Sequence, residues 1–177
     1  MAEATQILTE EHQGIKRVLA LIEKAHEKVD SGQELPRNFL PEIFDFIKGF
    51  ADTCHHGKEE GILFPLLEKR GIAKENGPIE MMLLDHKLGR NFVQGAISAF
   101  QGGDTKGALE NLRKYVSLLK EHIDNEDNIL YPKGNKLLTD EDQEYLERGF
   151  ERIEKEKIGQ GKHETYHQMI EKWEETL

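Results

Sequence analysis

Apolar residues recur at spacings of three and four along most of the chain, and this pattern predicts six helices and an all-α fold. Glycine and proline clusters separate the helices. Thr105 is predicted to cap the fourth helix, and Thr139-Asp140-Glu141-Asp142 is predicted to be a capping sequence before the fifth. The predicted helices cover residues 5–30, about 41–68, 78 to about 100, 105 to about 130, 145 to about 158, and 162–176. Because the first four are long and joined by short loops, they predict an up-down-up-down four-helix bundle, with two additional C-terminal helices. We therefore divide the chain into a bundle, residues 1–135, and a C-terminal extension packed on it, residues 136–177.

The inward stripe of the second and fourth helices changes from apolar to polar partway along. The second helix carries Phe44, Ile47, Ala51, His55, Glu59 and Leu63; the fourth carries Leu112, Tyr115, Leu119, His122, Glu126 and Leu130. In the first helix, His12 lies between Leu8 and Ile15 on the apolar face, and in the third helix His86 follows Met82. Each of the four helices therefore contributes at least one candidate metal ligand.

A repeated motif carries most of these residues. It begins at His55 and again at His122, 67 residues later. Both copies have a histidine, a glutamate four residues on, a second acid, and then Ile-Leu-aromatic-Pro. Positions i and i+4 share one face of a helix, so each copy points an imidazole and a carboxylate the same way. His56 and Glu60 have the same spacing and could replace His55 and Glu59, but the alignment of the two copies favours His55 and Glu59. His56 is then expected to be a solvated neighbour or a hydrogen-bond partner of a ligand.

Buried histidine and glutamate are costly unless they are paired or bound to an ion, so this arrangement predicts a metal site. Four imidazoles and two carboxylates can hold two metal ions. Mixed nitrogen and oxygen ligands suit iron, and zinc, copper and manganese remain possible by ligand softness.

These residues resemble the hemerythrin-like, HHE cation-binding family. The matching positions are His12, His55-x-x-x-Glu59, Asp85-His86-x-x-x-Arg90 and His122-x-x-x-Glu126, in a segment from residue 5 to about 135. The resemblance implies a non-haem di-iron centre with oxo or hydroxo and carboxylate bridges. His12 and His55 would bind one iron, His86 and His122 the other, and Glu59 and Glu126 would bridge them. Oxygen-carrying hemerythrins have a fifth histidine where this chain has Arg90, which could contact an anionic ligand or pair with a nearby acid.

The resemblance implies a protein that binds or reduces a small diatomic or peroxidic ligand (oxygen, peroxide or nitric oxide) in a stress response or in sensing, with an electron donor as a possible partner. Because every one of these tasks needs the same ligands, the sequence leaves open whether the protein is an enzyme. Iron storage or donation is the alternative.

A second metal motif lies in the last predicted helix. His163-Glu164-x-x-His167 matches the zinc metallopeptidase pattern. That chemistry needs a third protein ligand downstream, and few residues follow His167, so peptidase activity is a remote alternative. Between these options, the last helix could cover the open end of the bundle and bring His163 or His167 to the metal centre. We expect Cys54, beside His55, to be a small buried thiol.

The charge and cysteine content narrow the function further. The net charge is −10 and 33% of residues are charged, which argues against nucleic acid and anionic membranes as partners. One cysteine excludes an intrachain disulfide and fits a reducing compartment. The first residues lack a basic region followed by an apolar stretch, so we expect no signal peptide and a cytoplasmic protein.

Overall fold

The computed structural model describes residues 3–177, and every regular element in that range is helical. The α-helices are α1 (Thr5–Asp30), α2 (Phe39–Phe46), α3 (Phe64–Lys69), α4 (Pro78–Gln101), α5 (Thr105–Asn125), α6 (Tyr131–Asn135), α7 (Asp140–Ile153) and α8 (Lys162–Thr176). Four segments are π-helical: π1 (Ile47–His56), π2 (Glu59–Leu63), π3 (Glu126–Leu130) and π4 (Glu154–Ile158). None of the described helices combines the length and the apolar character needed to cross a membrane.

The π segments explain how a long polar stripe stays on one face. From Ile47 to Leu63 the inward residues advance in steps of four. In an α-helix of 3.6 residues per turn, each such step turns the side chain by about 40° away from the stripe. A π turn is wider and takes up this drift, which is why π-bulges often mark functional sites. Two of the four segments, π2 and π3, lie directly before Phe64-Pro65 and Tyr131-Pro132, where proline removes a backbone donor.

The structure confirms one predicted N-cap and contradicts another. The predicted capping sequence at Thr139 is confirmed, because its side chain and that of Asp142 form a reciprocal capping box. The prediction that Thr105 caps the fourth long helix is wrong. Asp104 is the N-cap, and its carboxylate accepts a hydrogen bond from the backbone N–H of Gly107 at 2.8 Å. Asp104 can do this because its own backbone lies outside the helix, with ψ of 81°.

The core consists of two apolar clusters with the polar site between them. The larger cluster includes Ile15, Ala51, Val93 and Leu119, and the smaller includes Leu8, Ile62, Met82 and Leu130. Along the chain, His12 lies between Leu8 and Ile15, His55 between Ala51 and Ile62, His86 between Met82 and Val93, and His122 between Leu119 and Leu130. Each long helix therefore passes from one cluster, through the site, into the other.

The C-terminal segments pack on the preceding helices. Helix α8 contacts α1 and α2, π4 contacts π1, and α7 contacts π2. Trp173 of α8 is buried against Phe39, with ring centroids 5.3 Å apart, and its indole donates a hydrogen bond to Glu42 at 2.8 Å. These contacts bring the C-terminal residues close to the helix that carries His55 and Glu59.

Candidate metal centre

The six residues that the sequence predicts as metal ligands lie together inside the protein, and none is more than 2% exposed. Their candidate ligand atoms fall into two groups, and within each group all these atoms lie within 4.8 Å of one another. Group A consists of His12, His55, Glu59 and Glu126. Group B consists of His56, Glu59, His86 and His122. Each group contains one of the histidine pairs that the family resemblance implies, and group B also contains His56.

The two glutamates extend from one group to the other. Glu126 places one carboxylate oxygen 3.2 Å from Nε2 of His12 in group A and the other 3.2 Å from Nε2 of His122 in group B. Glu59 lies 3.8 Å from an imidazole of group A through one oxygen and 3.3 Å from an imidazole of group B through the other. Two carboxylates that each face both groups have the arrangement needed to bridge two ions.

His56 is a member of the site that sequence analysis did not select. The prediction of a solvated neighbour is wrong, since His56 is only 4% exposed. Its ring stacks on that of His86, with centroids 3.8 Å apart and planes inclined by 20°. An α-helical period turns His56 by about 100° from His55. The π1 segment changes this rotation, and the uninterrupted steps of four from Ile47 to Leu63 are the sequence signal that could have shown it.

Several buried polar atoms at the centre have no hydrogen-bond partner among the described residues. Five of them face the interior of the centre: Nε2 of His12, His55 and His56, Oε2 of Glu59 and Oε1 of Glu126. The sixth is Nδ1 of His86, on the side of Glu60. In addition, Nε2 of His86 lies 3.1 Å from Nε2 of His122. A buried polar atom without a partner costs about 1–3 kcal/mol, and a cation bound between these atoms would satisfy them together. Imidazole nitrogen with carboxylate oxygen is a donor set that suits iron, zinc and manganese. The residues therefore fit a metal centre.

Every imidazole of the two groups has a carboxylate beside its other nitrogen. Measured to Nδ1, these are Asp127 at 2.7 Å from His12, Glu11 at 2.8 Å from His55, Asp85 at 3.2 Å from His122, Glu60 at 3.4 Å from His86 and Asp52 at 3.4 Å from His56. A carboxylate there favours the proton on Nδ1 and leaves the Nε2 lone pair facing inward, as in many metal sites.

The sequence carries a signal for two of these five outer carboxylates. Glu60 and Asp127 are the second acids of the two motif copies. Each pairs with a histidine on a different helix, Glu60 with His86 and Asp127 with His12. The repeated second acid therefore connects helices, which a comparison of the two copies alone does not reveal.

The carboxylates favour positive charge at the centre. Burial alone would lower the pKa of His12, but the nearby carboxylates of Asp127 and Glu126 outweigh it and raise that pKa to about 9. Burial would also lower the pKa of His122, and the charge of Glu126 contributes most to raising it to about 10. For His56, burial prevails and lowers the pKa to about 3, so its imidazole is neutral.

Tyr131 joins the two bridging carboxylates from one side. It is buried, and its hydroxyl donates a hydrogen bond to Glu59 and lies 3.4 Å from Glu126. Its ring stacks on His12, with centroids 5.7 Å apart and planes inclined by 6°. The hydroxyl holds Glu59 in place and limits its rotation.

A third group of candidate ligands lies behind His55 and already contains a cation. Glu11, Cys54, Glu154 and His163 form this group. The fully buried ammonium of Lys58 donates a hydrogen bond to Glu11 and another to Glu154 at 2.7 Å. Because this ammonium balances both carboxylates, we do not assign a metal here.

His163 approaches the metal centre without entering group A or group B. Its Nε2 lies 3.7 Å from Sγ of Cys54, the residue before His55. Burial raises the pKa of Cys54 to about 12, in line with the predicted buried thiol.

The metallopeptidase alternative finds no support in the described residues. Glu164 and His167 are both exposed. No group of candidate ligands among residues 3–177 contains either of them, and His163 belongs to the group filled by Lys58. The motif is therefore a polar face of α8.

A cavity of about 230 Å³ leads to group B from the surface. His56 and His86 form its inner end, Arg90 and Asp52 lie along it, and its remaining lining is mostly apolar: Ile47, Lys48, Gly89, Val93, Gln94, Ile97 and Tyr115. Of the two predicted roles of Arg90, the structure shows pairing with acids. Its guanidinium donates to Asp52 at 2.9 Å and also to Glu60. The cavity gives a small molecule a route to the imidazoles of group B.

Comparisons with known proteins agree with this geometry. The model of the hemerythrin HHE cation binding domain matches residues 3–134. The uncharacterized protein Rv1995 of Mycobacterium tuberculosis is 22% identical over 163 residues, which cover 89% of this chain and 63% of that protein. The iron-sulfur cluster repair protein YtfE of Edwardsiella ictaluri is 28% identical over 125 residues, which cover 66% of this chain. The protein of the same name from Yersinia pseudotuberculosis is 24% identical over 128 residues, which cover 68% of this chain. The chain spans only 56–63% of the length of these relatives. No solved structure matches the chain.

Proposed function

The chain belongs to the hemerythrin HHE cation-binding family, and from this premise we propose that it is a di-iron protein that binds or reduces a small ligand such as oxygen, peroxide or nitric oxide. The metal-binding character follows from the family and from the buried histidine and glutamate groups. The identity of the ions, their number and the small ligand are the proposal.

We propose that residues 1–135 form an up-down-up-down four-helix bundle and that residues 136–177 are an extension packed on it. The order of core contacts supports this arrangement. The first and third long helices pass from the smaller apolar cluster to the larger, and the second and fourth pass in the opposite direction. Antiparallel neighbours with a site midway along them produce this alternation.

The observation that carries the proposal is the position of Glu59 and Glu126. Each fully buried carboxylate faces imidazoles of both groups, so one ion in group A and one in group B would share two bridging carboxylates. Bound iron would supply reversible electron transfer and open positions for a small ligand. Mixed nitrogen and oxygen ligands favour iron over calcium or magnesium, which prefer oxygen alone.

The protein side chains would orient the centre and control access to it. Asp127 and its counterparts hold the imidazoles with Nε2 inward. Tyr131 fixes Glu59 by hydrogen bonding, and it keeps its proton because burial raises its pKa well above the usual value. The cavity beside Arg90 admits a molecule of few atoms, while its apolar wall limits water.

Metal analysis with a visible spectrum tests the proposal. We expect two irons per chain in the protein purified after growth with iron, and loss of at least one in His122→Ala and in Glu126→Ala. The matched control is His163→Ala, which should keep both irons, because His163 lies outside groups A and B. One zinc ion that survives the first two changes and disappears in His163→Ala would contradict the proposal.

A second candidate function is iron donation, favoured by the similarity to proteins named for iron-sulfur cluster repair. Three measurements separate the possibilities. A reversible visible band with oxygen or nitric oxide indicates a binding protein, and turnover of peroxide or nitric oxide with an electron donor indicates an enzyme. Transfer of iron to an apo-acceptor, faster than release to buffer, indicates a donor. A role in stress response or sensing, and a cytoplasmic location, stay predictions from the sequence.

A further inference from the structure

His56 is a buried histidine whose Nδ1 faces a carboxylate and whose Nε2 has no hydrogen-bond partner. It is 4% exposed, and its Nδ1 lies 3.4 Å from Asp52, a carboxylate that is itself held by Arg90. Its Nε2 is buried without a hydrogen-bond partner. One ring nitrogen of His56 lies within 4.8 Å of candidate ligand atoms of Glu59, His86 and His122. His12 and His55 show the same arrangement, with a carboxylate at Nδ1 and no hydrogen-bond partner at Nε2.

His26 shows what a histidine outside the centre looks like in this protein. Its Nδ1 lies 3.2 Å from Asp30 and its Nε2 lies 3.0 Å from Glu110, so carboxylates occupy both nitrogens. Its side chain is 14% exposed, near the protein surface. A histidine outside the metal centre can therefore have a carboxylate beside each ring nitrogen. Nε2 of His56, by contrast, is buried without a hydrogen-bond partner.

We propose that His56 is a fifth imidazole ligand, so that the ion in group B is held by three imidazoles and the ion in group A by two. This inference rests on the proposed two-metal centre and adds a ligand from the second long helix, next to His55. With both bridging carboxylates counted, group B supplies five protein ligands and group A four.

The position of Arg90 agrees with this assignment. Arg90 follows His86 by one helical turn, but its guanidinium points to Asp52 and Glu60 and supplies no lone pair for a metal. It instead holds the carboxylates that orient His56 and His86. Arg90 is therefore a positioning residue for two imidazoles of group B.

The test is proton NMR of the full-length protein loaded with cobalt(II) and containing isotope-labelled histidine. A histidine bound through Nε2 keeps its Nδ1 proton and gives one strongly shifted, exchangeable N–H signal. We expect five such signals in the natural protein and four in His56→Gln. The control, His26→Gln, should retain all five.

The outcomes separate this inference from the proposed function. Two bound cobalt ions with four shifted signals, unchanged in His56→Gln, would overturn the assignment of His56 and leave the metal centre standing. Failure to bind two ions would overturn the proposed centre itself. If His56→Gln does not fold, the count in the natural protein still decides, because four ligand histidines cannot give five signals.

Discussion

Lys58 and Glu154, which are 96 residues apart in the sequence, meet inside the protein with Nζ 2.7 Å from Oε1. The same ammonium donates to Glu11, and Glu11 accepts a hydrogen bond from Nδ1 of His55 at 2.8 Å. A continuous set of polar contacts thus connects the C-terminal extension to an imidazole of group A. The extension consequently contributes to the surroundings of the metal centre.

The first prediction concerns this buried ammonium. Lys58→Met leaves Glu11 buried without its cation, and we expect the free energy of unfolding to fall by about 3–5 kcal/mol. Urea denaturation measures the change. The control is Lys120→Met, because Lys120 makes a single exposed pair with Glu23 and should cost only about 0–1 kcal/mol. Equal effects of the two changes would show that Lys58 is not needed to balance Glu11.

The second prediction concerns the outer carboxylates. Asp127→Ala removes the acceptor at Nδ1 of His12, so the ring loses its fixed orientation. We expect the affinity for metal to fall by about 10–100-fold, as measured by competition with a chromogenic chelator. Asp124→Ala removes the same charge three residues earlier and should leave the affinity unchanged, because the side chain of Asp124 accepts a hydrogen bond from Asn128 and belongs to neither group. An unchanged affinity in Asp127→Ala would contradict an orienting role.

The third prediction isolates the Tyr131 hydroxyl. Tyr131→Phe removes a buried hydrogen bond to the charged Glu59, and hydrogen bonds to charged groups are worth about 1.5–3 kcal/mol. We expect a loss of that size in the chelator-treated protein, measured by chemical denaturation. Tyr145→Phe is the control, since Tyr145 is 56% exposed. A loss no larger than that of the control would mean that Glu59 does not depend on the hydroxyl.

The fourth prediction tests the packing of α8 on π1. A Cβ at Gly49 would lie 2.1 Å from the hydroxyl oxygen of Tyr166. Gly49→Ala should therefore destabilise the protein by about 1–3 kcal/mol, which lowers the melting temperature by about 2–4 °C per kcal/mol. Adding Tyr166→Phe should restore part of the loss, because the next contact, to Cζ, is 3.2 Å. Gly14→Ala, with nothing within 4 Å, should be neutral or stabilising.

An unchanged melting temperature in Gly49→Ala would show that α8 can shift away from π1 without cost. Metal content should be the same in these three variants as in the natural protein, since none of the changes touches group A or group B. Loss of metal in Gly49→Ala alone would instead mean that docking of α8 holds π1 in the shape that presents His55 and His56.

The sequence predicted much of the fold because helical periodicity is local. The stripe through Ala51, His55 and Glu59 is buried throughout, and so is the stripe through His122 and Glu126. Two predictions failed for local reasons: the helix cap at Thr105 and the solvated position of His56. The cap depended on the backbone conformation of Asp104, and the position of His56 depended on π-helical geometry, which an α-helical period does not describe.

By itself, the sequence determined which face of each helix is polar and which imidazoles and carboxylates that face presents, because side-chain direction repeats with the turn of the helix. Only the tertiary structure decided that Asp127 lies behind His12, 115 residues away, and that Lys58 meets Glu154. Such partners come from different helices, and their pairing depends on how the helices are aligned along and around one another. No spacing within a single helix records that alignment.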